Sequence, residues 1–128
     1  MKKRVVIYGD SNTWGYDAIT GGRFNEEIRW PMVAAKLLGD EYRIYEEGLC
    51  GRTTCLDDPF NEGLSGLTYL LPCLQTHSPL DMLVIMLGTN DCKERFSLTA
   101  ANISLGMRRL VKKALEAEVW RDKPNILV

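Results

Sequence analysis

The chain has 128 residues, of which 45% are hydrophobic and 26% are charged. A chain of this length and composition can bury a hydrophobic core, which excludes disorder as its main state. Its 16 basic and 17 acidic residues give a formal net charge of -1, so no excess of positive charge is available to bind a phosphate backbone. We therefore expect no nucleic acid partner.

The N-terminal apolar run, Val5–Tyr8, is too short for a signal peptide or a membrane span. We therefore expect a cytoplasmic protein with no membrane partner.

The cysteines are scattered, with no C-x-x-C pair and no cluster of histidines near them, which favours neither a zinc site nor a disulfide framework. We expect buried, reduced thiols, and we expect the protein to use no metal and no cofactor. The four cysteines are Cys50, Cys55, Cys73 and Cys92.

Apolar runs alternate with segments of helical period along the whole chain. Strands are predicted at Val5–Tyr8, Tyr42–Tyr45, Met82–Met86 and Ile126–Val128, and helices at Trp30–Leu38, Leu64–Gln75 and Thr99–Val119. Unbroken apolar runs suit strands that are buried on both faces of a parallel sheet. The alternation predicts one doubly wound α/β domain with right-handed crossovers, whose functional residues lie beyond the carboxyl ends of the strands.

Three loops that follow predicted strands carry unusual residues, and the topology brings all three to one edge of the sheet. They are 9–15, 48–54 and 88–91. Ser11 comes directly after a buried strand with a glycine on its approach and a helix expected to follow, which suits a nucleophile. The backbone N–H groups of Ser11 and Gly51 and the side-chain amide of Asn90 are candidate donors to an oxyanion.

These blocks resemble those of the SGNH, or GDSL-type, hydrolase family. Gly9–Ser11 is similar to its first block, Gly51 to the glycine of its second block, and Gly88–Asp91 to the G-x-N-D of its third. The longer segments Tyr45–Thr54 and Ile85–Asp91 look like the bacterial arylesterase and acyltransferase branch.

The resemblance implies a three-layer α/β/α sandwich with a flavodoxin-like parallel sheet. It also implies a serine esterase that acts on short-chain acyl or aryl esters, or transfers the acyl group to alcohols, through an acyl-enzyme on Ser11. Ser11, Gly51 and Asn90 would form the oxyanion hole. Because the branch tends towards oligomers, the resemblance allows a homo-oligomer for the intact protein.

The family completes its site with a D-x-x-H block after a fifth strand, in which the His is the base for the serine. This chain has no D-x-x-H and ends as the predicted fourth strand enters the sheet. We therefore expect residues 1–128 to be the N-terminal part of one domain, truncated after strand four and inactive as given. An unpaired sheet edge further predicts marginal stability or self-association.

His77 is the one histidine, and it precedes the third predicted strand. This position predicts a surface or capping residue at the amino edge of the sheet, opposite the three loops. We do not expect it to replace the missing base.

Four other side chains near the loops have more than one interpretation. Asp10 and Asp91 are expected to cap turns rather than to act as a catalytic pair. Trp14 is expected to lie near the substrate. Arg52 would contact an acidic ligand group or form a salt bridge, and the carboxylates considered for that bridge are Glu46, Glu47 and Asp58.

Two classes of function remain open from the sequence. One is a serine esterase with a small-molecule ester as its substrate. The other is a non-catalytic α/β module that binds a small anion or ester at the same donors. A flavodoxin-type cofactor binder is a distant third, because the first loop is short of the Ser/Thr/Gly run that would wrap a phosphate.

Overall fold

The computed structural model describes residues 1–128 and shows a four-stranded parallel sheet with helices packed against it. The strands are β1 (Lys3–Gly9), β2 (Tyr42–Gly48), β3 (Met82–Met86) and β4 (Ile126–Leu127). The helices are α1 (Ser11–Trp14), α2 (Trp30–Leu38), α3 (Gly66–His77) and α4 (Ala100–Glu116), and single 3-10 turns cover Asn90–Cys92 and Glu94–Phe96. None of these helices is long and apolar enough to cross a membrane.

The strand order is β2-β1-β3-β4, with every pair parallel. Across the sheet, the chain moves from β1 to β2 in one direction and then from β2 to β3 and on to β4 in the other. Since parallel crossovers are right-handed, α2 lies on one face of the sheet and both α3 and α4 lie on the other. In agreement, α3 packs against α4, and α2 packs against β2. The expected three-layer flavodoxin-like α/β fold is confirmed.

The boundaries of α2 and β3 agree with the prediction, whereas β2 extends three residues beyond Tyr45. Its last residues, Glu46 to Gly48, pair in register with Ile7 to Gly9 of β1. The prediction stopped at Tyr45 because the apolar pattern ends there, but strand pairing depends on the backbone. The helix predicted from Thr99 begins one residue later, because Thr99 is its N-cap in a capping box with Asn102.

The predicted burial of the strands on both faces is confirmed for β1 only. Its last five residues are all buried, while every residue of β2 except an exposed Arg43 is half-buried. In β3, Leu83 and Ile85 are buried but Met86 is 40% exposed. β2 is only half-buried because it forms an edge of the sheet. β3 is partly exposed because α2 packs on β2, and β1 lies between β2 and β3.

The main core lies between the sheet and the pair α3 and α4. It contains Val6, Tyr8, Leu70, Cys73, Leu74, Leu80, Leu83, Ile85, Leu110, Ala114 and Val119. Tyr8 is the one member with a polar tip, and its hydroxyl donates a 2.6 Å hydrogen bond to the carbonyl of Gly66 at the start of α3. Burial raises the pKa of the Tyr8 phenol, so the hydroxyl stays protonated and remains a donor.

The expectation of four buried thiols is right for Cys73 alone. Cys50 and Cys55 are half-buried, and Cys92 is exposed. These three belong to loops at the carboxyl edge of the sheet, where no second layer covers them. All four thiols are free.

Replacing Tyr8 with phenylalanine should lower the free energy of unfolding by about 1 kcal/mol, because the buried carbonyl of Gly66 loses its hydroxyl donor. Urea denaturation measures this change. The matched control is Tyr69→Phe, which removes an exposed hydroxyl at 3.3 Å from a Glu47 oxygen and should cost less. Equal effects in the two variants would show that the buried bond contributes nothing extra.

Candidate active site

The three loops expected to meet do so at the carboxyl edge of the sheet. Loop 1 (residues 10–29) follows β1, loop 2 (residues 49–65) follows β2, and loop 3 (residues 87–99) follows β3. The chain leaves β1 towards β2 on one side and later returns to β3 on the other. Such a reversal of strand order opens the crevice in which doubly wound folds bind their ligands. Ser11 and Asn90 therefore flank this crevice.

Ser11 is the first residue of α1 and is half-buried. Its N–H has no carbonyl partner within the helix, as at any first helical position. The N-cap is Asp10, a buried residue whose side chain accepts a 3.0 Å hydrogen bond from the Asn12 N–H. The helix expected to follow the serine is a single turn that ends at Gly15, so the local N–H groups matter more here than a helix dipole.

Two glycines allow loop 2 to take its path. Gly51 has a φ of +85°, in the left-handed region, and a Cβ there would meet Leu64 at 2.8 Å. Gly48 packs directly against α1, because a Cβ would lie 2.3 Å from the backbone nitrogen of Trp14. The end of β2, from which loop 2 leaves, therefore approaches α1 through a backbone contact that no larger residue at Gly48 would permit.

Loop 3 is joined to loop 2 by two consecutive side chains. Asn90 donates from Nδ2 to the carbonyl of Arg52 at 3.0 Å, which uses one of its two N–H groups and leaves the other for an oxyanion. Asp91 is 1% exposed and accepts from the N–H of Thr54 at 2.9 Å and from its hydroxyl at 2.6 Å. Asp10 caps α1 as expected, whereas Asp91 caps no turn and instead joins loop 3 to loop 2.

Arg52 is 3% exposed and joins the ends of two strands. Its Nη1 donates to the carbonyls of Gly9 at 3.1 Å and Glu47 at 2.6 Å. The guanidinium carbon lies 4.3 Å from the ring centroid of Tyr8 and 5.3 Å from that of Tyr69. Sequence reasoning did not find this role, because the acceptors are backbone carbonyls and carry no signal in the residue types.

The expected salt bridge from Arg52 is absent. Each of the three carboxylates considered for it has another partner: Glu46 pairs with Arg29, Glu47 with His77, and Asp58 with Arg95. The Asp58 pair joins loop 2 to the second 3-10 turn of loop 3. The hydrogen bond from Arg95, helped by the N–H of Phe60, holds the pKa of Asp58 below its ordinary value of 3.8.

His77 occupies a different place from the one expected. Its carbonyl accepts from Arg4 Nε at 3.0 Å, so the backbone is near the amino edge as predicted. The ring, however, lies 4.3 Å from the ring of Tyr45 and reaches Glu47 at the far end of β2, with 2.7 Å between Nε2 and Oε1. Helical side chains lean towards the N-terminus of their helix, which here is the carboxyl edge of the sheet. With 16% of its side chain exposed, His77 is not a surface residue.

Glu47 and His77 form a small cluster with the buried Cys73. One ligand atom from each of the three lies within 4.8 Å of the others, which makes them the candidate metal ligands of the chain. The sequence analysis missed this cluster because Glu47 is distant along the chain. The available signal was the spacing of four residues between Cys73 and His77, which places both on one face of α3.

Trp14 lies at the end of α1 and is covered by loop 1. The guanidinium of Arg23 stacks 4.7 Å from its ring, and Arg23 Nε donates to its carbonyl at 2.7 Å. Arg23 of loop 1 thus packs on the indole of Trp14.

A separate cleft of about 520 Å³ opens beside loop 2, lined by residues that include Glu47, Leu49, Arg52, Ser65 and Tyr69. None of Ser11, Gly51 and Asn90 lines it. The cleft is therefore adjacent to the crevice between β1 and β3 and distinct from it.

Replacing Asp91 with alanine should lower the free energy of unfolding by about 3 kcal/mol, because the buried N–H and hydroxyl of Thr54 lose a charged acceptor. Urea denaturation is the measurement. Asp57→Ala, at an exposed carboxylate of the same loop 2, is the control and should change stability little. A loss no larger than that of the control would show that Asp91 does not join the loops.

The ion pair between Asp58 and Arg95 should make the free energy of unfolding depend on pH under acidic conditions. A carboxylate with a lowered folded pKa stabilises the fold above its unfolded pKa and loses that contribution as the pH falls through the folded pKa. Asp58→Asn should therefore flatten the fall in stability below about pH 4. Arg95→Gln should do the same, because it removes the main cause of the shift. Curves from pH 6 to pH 2.5 that superimpose on the wild-type curve would contradict this.

Comparison with known proteins identifies relatives of the chain. A model of the GDSL-like lipase/acylhydrolase family matches residues 7–127. No curated protein gave a significant match. An aryl esterase from M. smegmatis, solved in an inhibitor-bound form, is 46% identical, with a TM-score of 0.85 over 89% of this chain and 55% of its own.

Two further structures extend the comparison. A carbohydrate acetylesterase from Sinorhizobium meliloti is also 46% identical, with a TM-score of 0.88 over 90% of this chain and 55% of its own. The SGNH-hydrolase family esterase AlinE4 is 19% identical and shares the fold, with a TM-score of 0.66 over 93% of this chain and 56% of its own. The chain thus spans little more than half the length of these solved proteins, and it belongs to the GDSL-like lipase/acylhydrolase family.

Proposed function

We propose that this protein is a serine esterase that hydrolyses short-chain acyl or aryl esters through an acyl-enzyme on Ser11. The observation that carries the proposal is the placement of Ser11 and Asn90 on either side of the crevice between β1 and β3, with Gly51 on the loop hydrogen-bonded to both sides. The aryl esterase and the carbohydrate acetylesterase among its structural relatives support an ester of a small acyl group.

In this mechanism the Ser11 hydroxyl attacks the ester carbonyl and forms a tetrahedral intermediate. The negative charge on the carbonyl oxygen accepts hydrogen bonds from the N–H groups of Ser11 and Gly51 and from the free N–H of Asn90. Such donors act best when they are held in place before the reaction, and each typically contributes about 10²–10³ in rate. The contact from Asn90 to the carbonyl of Arg52 supplies this preorganisation.

Collapse of the intermediate breaks its bond to the leaving oxygen, which departs as the alcohol with the proton that the base took from Ser11, and the acyl group remains on Ser11. Water then attacks the acyl-enzyme and releases the acid. An alcohol in place of water would yield a new ester, so acyl transfer to alcohols uses the same residues.

A serine hydroxyl needs an adjacent base to react at neutral pH. His77 is a poor candidate, because its ring is hydrogen-bonded to Glu47 on the α3 side of the sheet. We propose that a D-x-x-H block of the kind found in the family supplies the base. Residues 1–128 contain no such block, and by themselves they are expected to show no turnover.

The test uses the product of the complete coding region. Wild-type protein should hydrolyse p-nitrophenyl acetate and be labelled by a fluorophosphonate probe. Ser11→Ala should abolish both, and Asn90→Ala should lower kcat about 10²–10³-fold. Ser104→Ala, at an exposed position on α4, and His77→Gln serve as controls and should keep the wild-type activity.

The outcomes separate the two classes of function. A complete protein that neither hydrolyses the ester nor takes the label would be a binding module and not an esterase. Labelling that persists in Ser11→Ala would exclude Ser11 as the nucleophile. Loss of activity in His77→Gln with an unchanged fold would assign the base to His77.

A further inference from the structure

Helix α3 presents three chemically active side chains on one face. Tyr69, Cys73 and His77 follow each other at intervals of four residues, and this spacing aligns side chains along a helix. Together they face Glu47, the penultimate residue of β2. The cluster lies outside the group formed by Ser11, Gly51 and Asn90, so the proposed esterase mechanism makes no use of it.

The distances within this cluster are short. His77 Nε2 lies 2.7 Å from Glu47 Oε1, and the Tyr69 hydroxyl lies 3.3 Å from the second carboxylate oxygen. The sulfur of Cys73 is within 4.8 Å of both the imidazole and the carboxylate. Cys73 is wholly buried, whereas Glu47 and His77 keep 20% and 16% of their side chains exposed.

This donor set suits zinc. Thiolate, imidazole and carboxylate are its usual ligands, whereas calcium and magnesium prefer oxygen donors alone. Bond lengths of 2.0–2.3 Å in tetrahedral geometry place the ligand atoms roughly 3.3–3.8 Å apart. The 2.7 Å between Glu47 and His77 is shorter than this range, and the sulfur lies within 4.8 Å of both, so shifts of about 1 Å by side-chain rotation would form the site.

We propose that Glu47, Cys73 and His77 bind one zinc ion that joins α3 to β2. The ion replaces the hydrogen bond between Glu47 and His77, and it reaches the cluster through the cleft that Glu47 lines. Carboxylate and neutral imidazole each donate a lone pair. The thiol of Cys73 loses its proton to solvent as the sulfur–zinc bond forms, so one proton is released for each ion bound.

Water completes the coordination, because the chain offers three ligands and zinc takes four. The Tyr69 hydroxyl, at 3.3 Å from the second Glu47 oxygen, remains available to orient the carboxylate. Since both anchoring elements contribute ligands, zinc should stabilise the folded chain.

The experiment is a cobalt titration of the reduced chain of residues 1–128, monitored by absorption. Cobalt in place of zinc should produce tetrahedral d–d bands and a sulfur-to-cobalt charge-transfer band that saturate at one equivalent. Added zinc should abolish both. Zinc should also raise the urea midpoint of unfolding.

Variants locate the site. Removal of outer-shell partners of metals typically costs 10–100-fold in affinity, so replacing a ligand should cost more than about 100-fold. We expect this loss for Cys73→Ser, with the charge-transfer band absent, and for His77→Gln, which keeps a hydrogen-bonding group facing Glu47. Cys92→Ser, at the exposed thiol, is the matched control and should bind as the wild type does.

The absence of a charge-transfer band in the folded wild-type chain would overturn the proposal and leave the cluster as a hydrogen-bonded network. A band that survives in Cys73→Ser and disappears in Cys92→Ser would also overturn it. Far-UV circular dichroism shows whether the Cys73→Ser chain folds, and the half-buried His77→Gln variant provides the test if it does not. None of these readouts depends on esterase activity.

Discussion

The buried guanidinium of Arg52 is the contact on which the arrangement of the three loops depends. It donates to the carbonyls of Gly9 and Glu47, the last and the penultimate residues of adjacent strands, and the carbonyl of Arg52 itself accepts from Asn90. One residue therefore connects β1, β2 and loop 3. Buried carbonyls need such partners, so the loops share one hydrogen-bond network and cannot shift independently.

The charge of Arg52 is accommodated without an ion pair, because the nearby carboxylates have other partners. The faces of Tyr8 and Tyr69 and two carbonyl dipoles surround it instead. Glu47 links this network to the cluster on α3, since its carbonyl accepts from Arg52 while its carboxylate accepts from His77. Glu47 therefore belongs to the loop network through its backbone and to the cluster through its side chain.

The sequence predicts features that depend on neighbouring residues better than features that depend on contacts between residues far apart in the chain. Elements whose signal is local periodicity, such as α2 and β3, agree with the structure. The end of β2 does not, because its pairing to β1 involves polar side chains that break the apolar pattern. Burial of the cysteines and the direction of the His77 ring depend on the layers that cover them, which no local pattern encodes.

By itself the sequence determined the order of elements, the parallel α/β class, the three loops at one sheet edge and the resemblance of their residues to the SGNH blocks. These depend on residue type and on spacing along the chain. Only the tertiary structure decided which carboxylate each cation meets, that Arg52 binds carbonyls, and that Glu47, Cys73 and His77 come together. The reason is that such contacts join residues far apart in the chain, and their partners are selected by distance and burial in the folded molecule.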